Sequence, residues 1–236
     1  MALRYLYCVV PSSSPPDLSG WSGEGAPLEL VLHDGIAGVV GHVPTERYGA
    51  RALAKASGSL DTLAPYATAH QSVVQFVFER APAVVPMSFG SVHKRAGDVR
   101  AALETEAERL RDLLQRFAGM QEWGLRVARR DRALRPPASS GTEYLAARRA
   151  ELRGELAARA RDVVDRLENA IAETAAARRV LDQGSGDLLL RVAYLVPAPL
   201  AERAKRLVVE AGPALEEQDV AVELSGPWPP YSFVRG

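Results

Sequence analysis

The histidines and the one cysteine are the residues of this chain with the most obvious capacity for catalysis or metal binding. The histidines are His33, His42, His70 and His93, and none has a second histidine three or four residues away. Zinc sites usually show such spacing in the sequence. Cys8 stands alone, so it can form neither an intramolecular disulfide nor a cysteine-based metal site, and in its apolar segment it should behave as a small hydrophobic side chain. We therefore expect no catalytic residue, no metal and no cofactor.

Motifs for nucleotide binding and for serine hydrolysis are absent from the sequence. It contains neither GxGxxG nor GxxxxGK[ST], the loops whose backbone N–H groups cradle phosphates. It also lacks the G-x-S-x-G turn that presents a nucleophilic serine. One enzymatic alternative stays open, a pocket at a domain junction in which His70 acts as acid or base.

Charge is balanced over the whole chain but uneven locally. There are 29 basic and 29 acidic residues, so no long-range field attracts nucleic acid or anionic lipid. Residues 126–135 carry five arginines against one aspartate. No aromatic side chain lies there to stack on bases, which favours a solvated connection, although an RNA-binding ferredoxin-like protein stays open as an alternative. With neither a signal-peptide pattern nor 18 consecutive apolar residues, we expect a cytoplasmic protein with no membrane or nucleic-acid partner.

Two segments combine residues that ordinary strands and loops avoid. Residues 85–92 read VPMSFGSV, and residues 226–233 read GPWPPYSF. The prolines of the second segment favour an extended backbone, and its aromatic residues present large apolar faces. The second segment is either a docking surface or a tail packed on its own domain. The predicted partner-binding residues are Val84, Val85, Pro86, Met87, Phe89, Trp228, Tyr231 and Phe233.

Hydrophobic periodicity predicts the elements that position these segments, and in the first half their order is β-β-β-α-β-α. The predicted elements are a buried strand at 3–10, a hairpin of 28–32 with 36–43 around Asp34-Gly35, a helix at 61–80 with Asp61 as N-cap, a short edge strand at 83–89, and a helix at 97–117 that ends at Gly119. An exposed edge at 84–89 could add a strand of a partner.

In the second half, which we expect to begin near Gly119, the predicted order is β-α-β-α-β. A capping box of Ser140 and Glu143 opens a helical pattern that continues to residue 183, and such a helix would be about 60 Å long. It must project or break, and Gly154 is its weakest point. Asp162 and Arg166 are an i,i+4 pair on it. The remaining predicted elements are strands at 122–128, 187–196 and 220–224 and a helix at 199–211.

Several short motifs, taken in order, resemble the gas vesicle protein F/L family. They extend over nearly the whole chain, and the last is specific. The motifs are Tyr5-Leu6-Tyr7, Val39-Val40, His70, VPMSFGS at 85–91, EWGLRV at 122–127, GTEYL at 141–145 with Arg148-Arg149, AYLV at 193–196 and GPWPPYSF at 226–233. The family commonly has Leu-Arg where this chain has Met87-Ser88, so no role that needs a charge at position 88 is expected here.

The resemblance implies a two-domain α+β protein without catalysis or cofactors. It implies an N-terminal α/β domain with a mixed sheet and a C-terminal modified ferredoxin-like domain with long helices. With the boundary near Gly119, these are residues 1–119 and 120–236, and we expect the segment at 226–233 to be ordered and to anchor the second domain. It also implies a gas vesicle assembly factor that binds the hydrophobic shell protein, gas vesicle protein A, and limits its aggregation. Other gas vesicle accessory proteins are further implied partners. We expect residues 1–119 to carry the binding site for the shell protein.

Overall fold

The computed structural model describes residues 2–23, 26–130, 160–182 and 187–235. The chain divides into two compact units. Unit 1 comprises Met1–Met120 together with Trp228–Gly236, and unit 2 comprises Gln121–Pro227. The final residues therefore lie in unit 1, whereas the sequence placed them in a domain of residues 120–236.

The first part of the chain contains seven strands and five helices within its described residues. The strands are β1 (Ala2–Pro11), β2 (Ser22–Gly23), β3 (Ala26–Pro27), β4 (Glu29–His33), β5 (Ile36–Pro44), β6 (Val85–Pro86) and β7 (Val92–His93). The helices are α1 (Thr45–Tyr48), α2 (Ala50–Ala56), α3 (Leu60–Phe78), α4 (Ala96–Thr105) and α5 (Ala107–Phe117).

The central sheet of unit 1 has the order β4-β5-β1-β6, and β7 also pairs with β1. Every pairing in it is antiparallel, so the mixed sheet expected from the resemblance is wrong. A parallel pair would need a long crossover connection, whereas β4 and β5 are joined by the predicted two-residue turn, Asp34-Gly35. Residues 5–10 of β1 are all buried, as expected for the central strand of a covered sheet.

The helices of unit 1 follow the predicted apolar stripes with two differences. Asp61 is not the N-cap of α3, because the helix begins one residue earlier after Ser59, and Asp61 lies in its first turn. The predicted helix at 97–117 is interrupted at Glu106, which separates α4 from α5. The stripe itself is confirmed, since Leu110, Leu114 and Phe117 are buried.

The later part of the chain contains four strands, two helices and two short 3₁₀ turns within its described residues. The strands are β8 (Met120–Arg129), β9 (Ala177–Asp182), β10 (Leu188–Pro197) and β11 (Val220–Trp228). The helices are α6, described over residues 160–172, and α7 (Ala201–Glu216). The 3₁₀ turns are Ala198–Leu200 and Tyr231–Phe233.

The second sheet has the order β11-β8-β10-β9, and within the described residues the elements of this part of the chain follow one another as β-α-β-β-α-β. This is the ferredoxin-like arrangement that the resemblance implied. Helix residues of α6 and α7, among them Ile171 and Ala204, pack with strand residues such as Leu125 and Tyr194 in one hydrophobic core.

The predicted continuation of the long helix to residue 183 is wrong. Helix α6 ends near Thr174, whose buried hydroxyl donates to the carbonyl of Ile171 at 2.7 Å, and residues 177–182 form β9 instead. The sequence pattern continues across this point because apolar residues three, four or seven positions apart occur up to Leu181, which keeps the helical spacing by chance. The predicted Asp162–Arg166 pair is present at 3.0 Å.

Some predictions for the long helix lie outside the described residues. These are the connection at 131–140, the capping box of Ser140 and Glu143, and the weak point at Gly154. No helix in the described parts of the chain is long and apolar enough to cross a membrane.

Candidate functional site

The 87–91 loop joins two short strands that pair with the same edge of β1. Strand β6 pairs at Cys8 and Val9, and β7 pairs at Arg4 and Tyr5. The five residues between β6 and β7 therefore leave the sheet and return to it. Gly90, two residues before β7, has a φ of +83°, a conformation that a regular strand does not adopt.

Backbone hydrogen bonds hold both ends of the 87–91 loop to β1. Met87 N donates to Tyr7 O at 3.0 Å, and Leu6 N donates to Ser91 O at 2.9 Å. The loop is thus a fixed projection of the sheet edge. A fixed loop loses little conformational entropy when a partner binds it.

A tyrosine hydroxyl supports the middle of the loop. Gly90 has a φ of +83°, which favours glycine, and its N–H donates to Tyr5 Oη at 2.8 Å. Burial raises the pKa of Tyr5 to about 12, so the hydroxyl stays protonated while its oxygen accepts this bond. The support leaves the neighbouring Phe89 side chain 37% exposed.

The tail, residues 228–235, is anchored to unit 1. Phe233 in its 3₁₀ turn is only 6% exposed, and the guanidinium of Arg109 on α5 donates to the carbonyl of Val234 at 2.6 Å. The sequence predicted that residues 226–233 are ordered and anchor the second domain. In the structure the segment is packed, and from Trp228 onward it belongs to unit 1.

The 87–91 loop and the tail meet. Arg235 Nη2 donates to Ser88 Oγ at 2.8 Å. The rings of Phe89 and Tyr231 lie 6.1 and 6.2 Å from the ring of His70, which therefore has one ring from each segment beside it. We call this region, formed by Met87, Ser88, Phe89 and the tail, the loop–tail surface.

His70 of α3 supports the loop–tail surface from inside. It is 5% exposed, and the rings of Tyr5 and Tyr7 lie 5.6 and 5.8 Å from it. Burial lowers its pKa to about 4, which keeps the imidazole neutral near pH 7. Neither ring nitrogen has a hydrogen-bond partner among the described residues. His70 is thus a core histidine among aromatic rings, and no described residue forms a hydrogen bond with its imidazole through which a proton could pass.

The predicted partner-binding residues fall into two groups. The first group is half-buried or exposed and consists of Met87, Phe89, Trp228 and Tyr231. The second group is buried and consists of Val84, Val85, Pro86 and Phe233. The predicted strand at 83–89 is reduced to two residues, one of them a proline without an N–H. Only the first group is accessible to a partner, so strand addition at 84–89 has little backbone to use.

Sequence reasoning missed the links that join the two segments. Ser88 and Arg235 are 147 positions apart, and Arg109 and Val234 are 125 positions apart. No local pattern marks such pairs. The composition of the two segments was the available signal, because both combine proline, glycine and aromatic residues.

The arginine-rich stretch is partly described. Arg126 and Arg129 are exposed, and Arg130 pairs with Glu216 at 2.6 Å. Residues 131–135 lie outside the described residues. One of its described cations is thus already engaged in an ion pair on the surface of unit 2.

Residues for metal binding or thiol chemistry are not gathered in the described structure. Within residues 2–23, 26–130, 160–182 and 187–235, no group of three or more His, Cys, Asp or Glu residues could hold a metal ion. Cys8 is fully buried, and burial raises the pKa of its thiol, which opposes formation of a reactive thiolate.

Comparisons with known proteins agree along the whole chain. The family described as "Gas vesicle synthesis protein GvpL/GvpF" matches residues 3–235. Gas vesicle protein L of a Streptomyces species is 30% identical over 98% of this chain and 92% of its own length. Gas vesicle protein F2 of Halobacterium salinarum is 30% identical over 85% of this chain and 83% of its own length.

Two solved structures share the fold. The crystal structure of gas vesicle protein GvpF from an Anabaena species has a TM-score of 0.74 and 18% identity, covering 100% of this chain and 97% of that one. The crystal structure of GvpF from Microcystis aeruginosa has a TM-score of 0.70 and 18% identity, with both chains covered completely. These matches confirm the α+β fold class.

Proposed function

The chain belongs to the gas vesicle protein L/F family, and we propose that it serves gas vesicle assembly by binding the hydrophobic shell protein, gas vesicle protein A, and limiting its aggregation. Membership in this family supports the assembly role. We further propose that the protein acts in the cytoplasm beside the growing vesicle, with other gas vesicle accessory proteins as additional partners.

The meeting of the loop and the tail is the observation that carries the proposed site. Two segments with unusual composition, far apart in sequence, lie together through Arg235 and Ser88 and through a shared contact with His70. The loop–tail surface presents aromatic side chains from a loop whose two ends are hydrogen-bonded to β1.

The chemistry of the loop–tail surface suits an apolar client. Phe89 and Trp228 are each 37% exposed, and Met87 and Tyr231 are half-buried. Partly exposed aromatic residues are the usual anchors of protein interfaces, and methionine adapts its shape to a partner. Covering apolar surface on the shell protein would lower the concentration of the species that aggregates.

A co-expression experiment tests this site in the full-length chain. The shell protein is expressed with tagged wild-type chain or with Phe89→Asp or Trp228→Asp, and the amounts of soluble and co-purified shell protein are measured. We expect both substitutions to reduce capture strongly, because a charge at an apolar contact is left unpaired when the partner covers it.

Leu60→Asp is the matched control. Leu60 lies at the start of α3 and is 84% exposed, so the same kind of change there should leave capture unchanged. Folding of each variant is checked by its thermal melt. Full capture by folded Phe89→Asp and Trp228→Asp would exclude the loop–tail surface as the binding site, and absence of capture by the wild-type chain would refute shell-protein binding itself.

A further inference from the structure

Strand β4 is an open edge of the central sheet. Within the described residues β5 is the only strand that pairs with it, through a regular register from Glu29 opposite Val40 to His33 opposite Ile36. The outward N–H and C=O groups of such a strand are available to a further strand. The register has no bulge that would turn the strand away.

In the two larger sheets, the other described edges carry proline or adjacent arginines, which discourage pairing, whereas β4 carries polar residues only at its two ends, Glu29 and His33. Strand β6 has two residues and includes Pro86. Strand β9 carries Arg178 and Arg179, and β11 contains Pro227. Charged side chains and proline are common protections of edge strands. The centre of β4, by contrast, is apolar, and its Leu32 is 56% exposed.

The sequence of β4 is complementary to itself when read in the antiparallel direction. With Val31 on a two-fold axis, Leu30 faces Leu32 of the second copy, and Glu29 faces His33 of the second copy. Leu30 and Leu32 share one face of the strand, whereas Glu29, Val31 and His33 share the other. The pairing would thus place apolar beside apolar and an acidic residue beside a histidine on both sides of the axis.

Contacts within one chain already hold the Glu29 carboxylate in place. Glu29 Oε1 lies 3.0 Å from Arg4 Nε and 3.2 Å from His42 Nε2, so its carboxylate is held on the face that His33 also occupies. The carboxylate remains partly accessible, since the Glu29 side chain is 41% exposed. A histidine from a second copy would join a carboxylate whose position is fixed.

We propose that two copies of this chain associate through β4, antiparallel and around a two-fold axis at Val31, so that their central sheets become continuous. The interface is isologous, with each contact occurring twice. Because a five-residue strand buries little area, the dimer should be weak and its population should depend on concentration. This dimer is independent of shell-protein binding and uses a different part of unit 1.

Sedimentation velocity of the full-length chain over a range of concentrations tests the dimer. The wild type should shift from monomer to dimer as concentration rises. Leu32→Lys should weaken the dimer, because it brings a cation next to Leu30 of the second copy. Since each substitution alters two symmetry-related contacts, we expect roughly a 2- to 30-fold increase in Kd. Leu60→Lys, at another exposed leucine, should leave Kd unchanged.

Substitutions at His33 provide a test of direction. His33→Glu places like charges opposite each other and should weaken the dimer, whereas His33→Lys should preserve or tighten it. Circular dichroism and thermal melts establish that each variant is folded. A wild-type chain that stays monomeric to its solubility limit would overturn the proposal, as would a dimer insensitive to both Leu32→Lys and His33→Glu.

A third outcome separates this proposal from shell-protein binding. If Leu32→Lys abolished capture of the shell protein while the wild type stayed monomeric, β4 would be a docking strand for that partner, and the dimer would be refuted. If Phe89→Asp lost capture but dimerised normally, the two surfaces would be independent, as we expect.

Discussion

Replacing Phe233 by alanine measures how strongly the tail is held. In a core, a Phe→Ala substitution costs about 3–5 kcal/mol, and Phe233 is 6% exposed. At the end of a chain the loss is limited, because a destabilised tail can detach and its freed residues regain conformational entropy. Detachment also breaks the bonds from Arg109 to Val234 and from Arg235 to Ser88, each contributing about 1 kcal/mol. We expect unit 1 to lose about 2–4 kcal/mol.

Calorimetry of the full-length chain provides the assay. For a unit of this size, 1 kcal/mol corresponds to roughly 4 °C, so the transition of unit 1 should fall by about 8–16 °C. Phe89→Ala is the matched comparison, because Phe89 is 37% exposed and should cost less than half as much. An unchanged transition for Phe233→Ala would refute the anchoring role of the tail. If Phe233→Ala and Phe89→Ala lowered the melting temperature equally, the distinction between Phe233 as a buried anchor and Phe89 as an exposed contact would be refuted.

Three further substitutions, two in unit 1 and one in unit 2, test single positions. Burial lowers the pKa of His70 from 6.5 to about 4, so between these pH values the imidazole is protonated in the unfolded chain but neutral in the folded one. The free energy of unfolding therefore decreases as pH falls from 6.5 towards 4. His70→Phe should remove about 2 kcal/mol of the loss seen between pH 7 and pH 5 in urea titrations, and identical pH profiles would contradict the burial argument. Gly226→Ala should destabilise unit 2 by about 2–4 kcal/mol, since φ is +141° and a Cβ would lie 2.9 Å from Glu122 O and from the Trp123 ring. Gly97→Ala, with open space around its Cβ position, should instead stabilise by about 0.5–1 kcal/mol, and a similar melt for the two alanine variants would show that the close approach is not limiting.

Sequence patterns predicted correctly those elements whose structure depends on residues close together in the chain. The Asp34-Gly35 hairpin is confirmed because a two-residue turn between alternating strands is encoded in adjacent residues. The stripe through Leu110 and Phe117 is confirmed because helical spacing repeats over several turns. Both signals act within about twenty residues, which is the range over which one sequence is informative.

The errors arose where tertiary contacts decide the outcome. Residues 177–182 pair with β10 along Ala177 to Asp182, and this long-range pairing prevails over a helical spacing that continues only by coincidence at Leu181. Val84 and Val85 were assigned to a binding edge because they are apolar and lie next to a proline. Val85 is buried because β6 packs against β1 and α5, and Val84 is part of the core cluster that includes Tyr7, and the sequence does not reveal these contacts locally.

The tail explains why the candidate site could be predicted only in part. Its composition identified it as unusual, but adjacency to β11 suggested that it belonged with the second domain. In the structure the chain leaves unit 2 at Pro227 and re-enters unit 1, where Phe233 is buried. Residues 1–119 alone therefore lack part of the core of unit 1, and the expectation that they bind the shell protein without the rest of the chain stays a prediction. Because Phe233 anchors the segment that carries Trp228 and Tyr231, stability of unit 1 and presentation of the loop–tail surface depend on the same residues, so capture is best compared among variants whose melting temperatures match.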